Sequence, residues 1–351
     1  MDIMEHGHYF FPAALIAGAR APGGADHPHA VDETFPPLPP ATGIRVGVID
    51  TGIALNEAGE AHSWFGDHVS FTEQDTDPLK EGHYDRYEAG YLADADGHGT
   101  FVTGLILSEA PTARVTMCGV LDKGGDALRR NGLEQRDDAE VAKALSRLAD
   151  DPEVQVINLS FAGGVFPNVP SSVQEVLSSL PGRLAVVAAA GNGRSVDGED
   201  VGTEDPVWPA TFEKVISVGA LDEQVLIHPG ATPQRARFSN YGKWVDAYAS
   251  GVHVLGPFVY YKENARPDPD GTRGLTPGHR WPQSFTGWAR WSGTSFAAAL
   301  VSGRIAQTAI ERGITGAEAA QVVLCGSQKI FNDHTVWVRG AGLPALRQDR
   351  P

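Results

Sequence analysis

Five short runs of almost unbroken apolar residues constrain this 351-residue chain more than any other feature: IRVGVID (Ile44–Asp50), ARVTMCGVL (Ala113–Leu121), VQVINLSF (Val154–Phe161), LAVVAAAGN (Leu184–Asn192) and KVISVGAL (Lys214–Leu221). Each is short for a helix and too uniformly apolar for a strand with one wet face, so the pattern predicts strands buried on both sides. Between the second and third, DDAEVAKALSRLADD carries Val141, Ala144, Leu145 and Leu148 at helical spacing with charge on the opposite face. Strand, helix and strand in that order imply a right-handed crossover and a mostly parallel sheet flanked by helices. Two further helices are predicted. GTSFAAALVSGRIAQTAIERG is apolar nearly all round until Arg304, so its first turns belong in the core, and TGAEAAQVVLCGS is capped near Thr315 and stopped at Gly326. Ligands gather at the carboxyl ends of strands in such sheets. Asp50, Ser160 to Gly164, and Asn192 all fall there.

Ahead of the first strand, the Pro- and Gly-rich RAPGGADHPHAVDETFPPLPP (Arg20–Pro40) reads as an extended tether rather than packed structure. Residues 1–42 are therefore taken as an N-terminal extension, and 43–351 as one folded domain with a long, irregular surface excursion at about 260–290. That excursion holds Pro267, Pro269, Pro277 and Pro282, with Trp281, Trp288 and Trp291 nearby. The apolar stretch YFFPAALIAGA (Tyr9–Ala19) follows Asp2 and Glu5 with no Lys or Arg before Arg20, which argues against an export signal and for a cytoplasmic location. If the stretch is a signal after all, the location is secreted. A net charge of −16 repels phosphate backbones and anionic lipid, so nucleic-acid and membrane partners are not expected. Cys118 and Cys325 sit in apolar surroundings and read as buried free thiols.

Chemistry concentrates in three places. In WSGTSFAAALVSG, Ser295 stands at the mouth of a tightly packed helix, either as a helix cap or as a nucleophile. A serine hydroxyl attacks poorly unless a base takes its proton, and that base needs a third group to fix its tautomer. His98, flanked by Gly97 and Gly99 in DADGHGTFVTGLIL, is the leading base. Asp50, ending an apolar strand where an unpartnered carboxylate is costly, is the leading orienter. Taken singly, each has a plainer role: Asp50 as a turn cap, His98 as a structural histidine, Asn192 as a turn residue between glycines.

The segments VGVIDTGI, DGHGTFVTGLI, INLSFAGG, AAAGNG and SGTSFAAALVSG together resemble the motif set of the subtilisin-like serine proteases, from about Gly43 to Gly326. The resemblance implies a subtilisin-like three-layer α/β fold and a serine endopeptidase. It assigns Asp50, His98 and Ser295 to a triad, and Asn192 to the side-chain donor of the oxyanion hole. It also implies that peptide binds as an added strand between Ser160, Phe161, Ala162 and Gly163 on one side and Ala189, Ala190 and Gly191 on the other. No cofactor is required for that chemistry; several acidic loops could hold structural calcium, as in many relatives, but no run has ligand spacing specific enough to assign a site.

The chain departs from the family pattern at Phe101 in the histidine motif, at Phe296-Ala297-Ala298-Ala299-Leu300 after the serine, and at Ala162, whose methyl narrows the pocket mouth. A loop after Asn192 carries Asp197, Glu199, Asp200, Glu204 and Asp205. It is either a solvated acidic loop or a selector of Arg or Lys before the cut. Only about forty residues precede the first strand, fewer than the usual inhibitory pro-domain. Restraint is then expected from the tether, the excursion or a regulatory protein partner. The alternative function is a catalytically silent peptide-binding or scaffold protein on the same fold. A dinucleotide site lacks its G-x-G-x-x-G turn, and an α/β-hydrolase lacks G-x-S-x-G around Ser295.

Overall fold

The computed structural model describes residues 11–12, 28–77, 96–121, 137–162, 171–196, 199–222, 234–261, 284–326, 328–329 and 336–337. In chain order its main elements are β1 (Phe11–Pro12), β2 (His29–Ala30), β3 (Arg45–Asp50), α1 (His98–Glu109), β4 (Arg114–Gly119), α2 (Asp137–Asp150), β5 (Val154–Leu159), β6 (Phe161–Ala162), α3 (Ser171–Ser179), β7 (Ala185–Ala189), β8 (Val215–Asp222), β9 (Ala247–Ser250), β10 (Val254–Tyr261), β11 (Phe285–Trp291), α4 (Thr294–Arg312) and α5 (Gly316–Gly326). The five apolar runs become β3, β4, β5, β7 and β8. They lie in one sheet in the order β9-β8-β7-β5-β3-β4, every neighbouring pair parallel.

Alternate residues of these strands face two separate cores, which is why the runs had to be apolar throughout. Val46, Val48, Val187 and Ala189 pack with α1 and α4, whereas Ile49, Val186 and Ala188 pack with α2 and α3. Helix, sheet and helix thus form three layers. The small residues of α4 let it lie close on α1: a Cβ at Gly303 would sit 2.6 Å from the Ile106 carbonyl oxygen. α5 begins at the expected cap, with Thr315 N–H and Oγ1 both donating to Glu318 Oε2. No helix among the described residues is long and apolar enough to cross a membrane.

Three expectations change. Residues 28–40 do not hang as a tether: β2 pairs with β11, Arg290 forms an ion pair with Glu33 at 2.7 Å, Phe35 packs on Trp64 and Trp288, and Trp64 Nε1 donates to the Pro36 carbonyl at 2.8 Å. A proline-rich strand with free carbonyls fits an aromatic groove, so its lack of periodicity was no sign of solvation. The excursion is ordered at both ends, because β10 and β11 pair antiparallel and carry Trp288 and Trp291 into the core. Its middle, with Trp281 and the four prolines, lies outside the described residues. Cys118 is buried and Cys325 exposed, both free. Cys325 falls off the α5 face made by Ala319, Ala320 and Val323.

Candidate active site

Asp50 ends β3 on the central sheet, wholly buried. Its Oδ1 accepts from the Thr51 N–H at 2.7 Å and from His98 Nδ1 at 2.7 Å. Since Nδ1 is the donor, the neutral imidazole carries its proton there and leaves Nε2 as a bare acceptor. Nε2 is buried and has no hydrogen-bond partner. The ring is held by Trp291, edge-on at 5.7 Å, and by Phe296 at 5.6 Å.

The two motifs carrying this pair are laced together by short polar contacts. Thr51 Oγ1 donates to Asp77 Oδ2 and accepts from the Gly99 N–H, while Asp77 Oδ2 also accepts from the Gly97 N–H. Gly99 has no alternative here, since a Cβ would lie 2.3 Å from the Gly52 carbonyl oxygen. His98 therefore opens α1 at a point fixed by backbone contact with the Asp50 turn.

Ser295 is the second residue of α4, fully buried, in a first turn where the Phe296 and Ala297 N–H groups reach the Gly293 carbonyl and the Thr294 N–H donates out of the helix to Asn192 Oδ1. Its hydroxyl donates to the Ser160 carbonyl at 2.9 Å, and Ser160 Oγ returns a bond to the Ser295 carbonyl at 2.7 Å. Of the two links expected in an Asp–His–Ser relay, the structure contains the first. In place of the second, the serine hydroxyl rests on Ser160. Asn192 Oδ1 accepts from both the N–H and the Oγ1 of Thr294, at 2.9 and 2.8 Å, which leaves Nδ2 buried and without a partner beside the serine.

Ser160, Phe161 and Ala162 continue from β5, and Ala189, Ala190 and Gly191 from the adjacent β7, so the two expected walls start from neighbouring parallel strands. Gly163 lies outside the described residues. Sequence reasoning missed the supports behind these walls. Ser302 Oγ donates to Asn158 Oδ1, and Asn158 Nδ2 donates to Ser160 Oγ, both at 2.9 Å. Asn240 Nδ2 donates to the Ala190 carbonyl at 2.8 Å and its N–H to the Gly191 carbonyl at 2.9 Å. Asn158 and Ser302 stood inside the recognised motifs. Asn240, in FSNYG, looked like any turn asparagine. Among the described residues, no three His, Cys, Asp or Glu side chains gather as a metal site.

A fold of this kind with a buried carboxylate–imidazole pair near a helix-start serine defines the subtilisin-like class. Residues 41–332 match the model of the Subtilase family, and the chain belongs to that family of serine proteases. It is similar to the thermophilic serine proteinase of Bacillus sp. (strain AK1), 28% identical over 218 residues that make up 61% of this chain and 45% of that protein. Subtilisin E of Bacillus subtilis (strain 168) is 29% identical over 229 residues, 60% of this chain and 47% of the relative. The alignments thus span about half the length of these curated relatives. Among solved structures, a cold adapted subtilisin-like serine proteinase shares the fold with a TM-score of 0.54 at 20% identity, covering 94% of this chain and 97% of that one. A prenylagaramide maturation protease shares it with a TM-score of 0.53 at 18% identity, covering 85% and 92%.

Proposed function

We propose that the chain is a serine endopeptidase in which Ser295 attacks a peptide carbonyl, His98 moves the proton and Asp50 holds the imidazole. The observation that carries this is the 2.7 Å bond from His98 Nδ1 to Asp50, which fixes the tautomer with Nε2 free to accept. For attack, the Ser295 hydroxyl turns from the Ser160 carbonyl to Nε2 and gives up its proton as Oγ bonds to the substrate carbon. The negative charge that develops on the substrate oxygen meets Asn192 Nδ2 and the Ser295 N–H, donors already oriented before the reaction begins. His98 then returns its proton to the leaving amine, and water cleaves the acyl ester by the same sequence.

Substrate peptide adds as a strand along Phe161 and Ala162, where main-chain bonding gives affinity without regard to side chain. Selectivity falls to the acidic loop after Asn192, whose residues include the exposed Glu204 and Asp205; one carboxylate there favours Arg or Lys before the cut. A fluorophosphonate probe tests the mechanism: Ser295 is labelled in the native chain and not in His98→Ala. Absence of labelling under every activating condition favours the silent peptide-binding protein. A positional peptide library tests the basic preference, and selection of large apolar residues removes it.

A further inference from the structure

α1 opens on a glycine that cannot cap it. Gly97 sits in the left-handed region at φ 77°, offers no side-chain acceptor, and has no room for one, since a Cβ there would lie 2.6 Å from the Phe258 ring. The first N–H groups of the helix therefore need acceptors from elsewhere. Two are supplied by other segments: the Gly97 N–H donates to Asp77 Oδ2 at 2.9 Å, and the Gly99 N–H donates to Thr51 Oγ1 at 3.0 Å.

These two acceptors form one unit. The single hydroxyl proton of Thr51 goes to the same Asp77 Oδ2, at 3.0 Å. By taking that proton, Asp77 leaves the lone pairs of Oγ1 turned toward Gly99. The main-chain N–H of Thr51 donates to Asp50 Oδ1, the atom that also accepts from His98 Nδ1, both at 2.7 Å. Thr51 thus grips the Asp50 carboxylate with its backbone and the start of the His98 helix with its side chain, and Asp77 sets that side chain.

Asp77 belongs to neither motif. It ends the two-residue strand Thr76–Asp77, which runs parallel to Ile53–Ala54 just past the Asp50 turn. The turn is pressed onto the segment leading into this strand, because a Cβ at Gly52 would lie 2.5 Å from the Asp75 carbonyl oxygen. Asp77 itself is buried, and a carboxylate held away from water is costly unless its oxygens are in use.

We propose that Asp77 is a positioning residue for the reaction: through Thr51 and Gly97 it holds the start of α1 against the Asp50 turn and keeps the His98 imidazole seated on Asp50. The inference rests on the peptidase reading for the step that is positioned. What Asp77 supplies is an acceptor at a fixed point, so an amide oxygen at the same place serves as well. Without it the helix start is held to the turn by fewer ties, among them the Ala54 N–H bond to Thr100 Oγ1 at 2.8 Å. The imidazole then drifts. A misplacement of about 1 Å costs a reaction up to about 10²-fold, and a partial loosening costs less.

The test compares the full chain with Asp77→Ala and Asp77→Asn. Asp77→Ala is expected to lower kcat for a peptide substrate by about tenfold with KM unchanged, and Asp77→Asn to restore kcat to within about threefold of the native value. A second readout needs no activity. The proton on His98 Nδ1, in a short bond to a carboxylate, gives a strongly deshielded NMR signal, identified by its loss in His98→Gln. Asp77→Ala is expected to shift or broaden it, and Asp77→Asn to return it. Should Asp77→Ala fail to fold, Thr51→Val, which deletes Oγ1, and Thr51→Ser, which keeps it, make the same comparison. Native kcat and an unmoved signal in Asp77→Ala overturn the inference, as does a change confined to KM or an Asp77→Asn chain as impaired as Asp77→Ala. A signal that responds as expected in chains whose Ser295 is never labelled by fluorophosphonate removes the peptidase reading and leaves the hold of Asp77 on His98. A labelled native chain whose signal is indifferent to Asp77 does the reverse.

Discussion

One hydrogen-bond chain ends on Ser295, running from Ser302 through Asn158 and Ser160 to its carbonyl, and a second runs from the preceding residue, Thr294, to Asn192. The second chain orients Nδ2 and can be weakened in steps. Asn192→Ala is expected to lower kcat by about 10²–10³-fold with little change in KM, a range carried over from subtilisin itself. Thr294→Val keeps the shape and the backbone N–H but deletes one of two bonds to Oδ1. A net loss near 1 kcal/mol predicts a kcat fall of roughly fivefold, again without a matching rise in KM. Steady-state kinetics on one peptide substrate checks both, and a change confined to KM would mean that Asn192 contributes to ground-state binding instead. Asp50, His98, Asn192 and Ser295 were legible in the sequence because each stands in a motif. Thr294 was overlooked although it adjoins Ser295, since a threonine at a helix start looks like an ordinary cap.

At the scale of elements, the β2-β11-β10 sheet is the part of the fold that composition misread. Prolines on either side of β2 and throughout the excursion masked strands whose partners are distant: Ala30 pairs with Ala289 and Val254 with Trp291. His62 is clamped against this sheet. Its Nε2 donates to the Gly287 carbonyl at 2.8 Å, its Nδ1 accepts from the Trp64 N–H, and its ring stacks on Tyr260. Burial lowers its pKa to about 4, against the opposing pull of the Gly287 carbonyl. The unfolded chain therefore binds this proton first, near pH 6.5. The stabilisation is complete above that value and is lost as pH falls toward 4, by on the order of 3 kcal/mol. Urea midpoints measured from pH 8 to pH 4 should fall through that window, and the fall should flatten in His62→Gln, which has no proton to gain there. An identical slope in the variant would place the acid sensitivity elsewhere.

For the whole molecule, the distance between the proposed base and the proposed nucleophile is set by how α1 seats on α4, because His98 opens the one and Ser295 stands in the first turn of the other. Gly303 is the contact that permits the close approach. Gly303→Ala forces the helices apart by a few tenths of an ångström or more. It is expected to lower stability by about 1–3 kcal/mol and to reduce kcat as well, since each helix carries a residue proposed to react. Thermal unfolding and probe labelling on the same preparation check this, and a stability loss with an unchanged labelling rate would show that the two ends of the helices are decoupled.

The five core strands, the helix between the second and third of them, the two late helices, and the residues on which chemistry is proposed to rest were legible in the sequence alone, because burial on both faces, helical periodicity and motif spacing are properties of neighbouring residues. Tertiary structure decided where the Ser295 hydroxyl points, which cysteine is exposed, that residues 28–40 pack, and that β1 pairs with β6. Those outcomes depend on which of many distant surfaces meet, and a local stretch of chain carries no record of the partner against which it will be pressed.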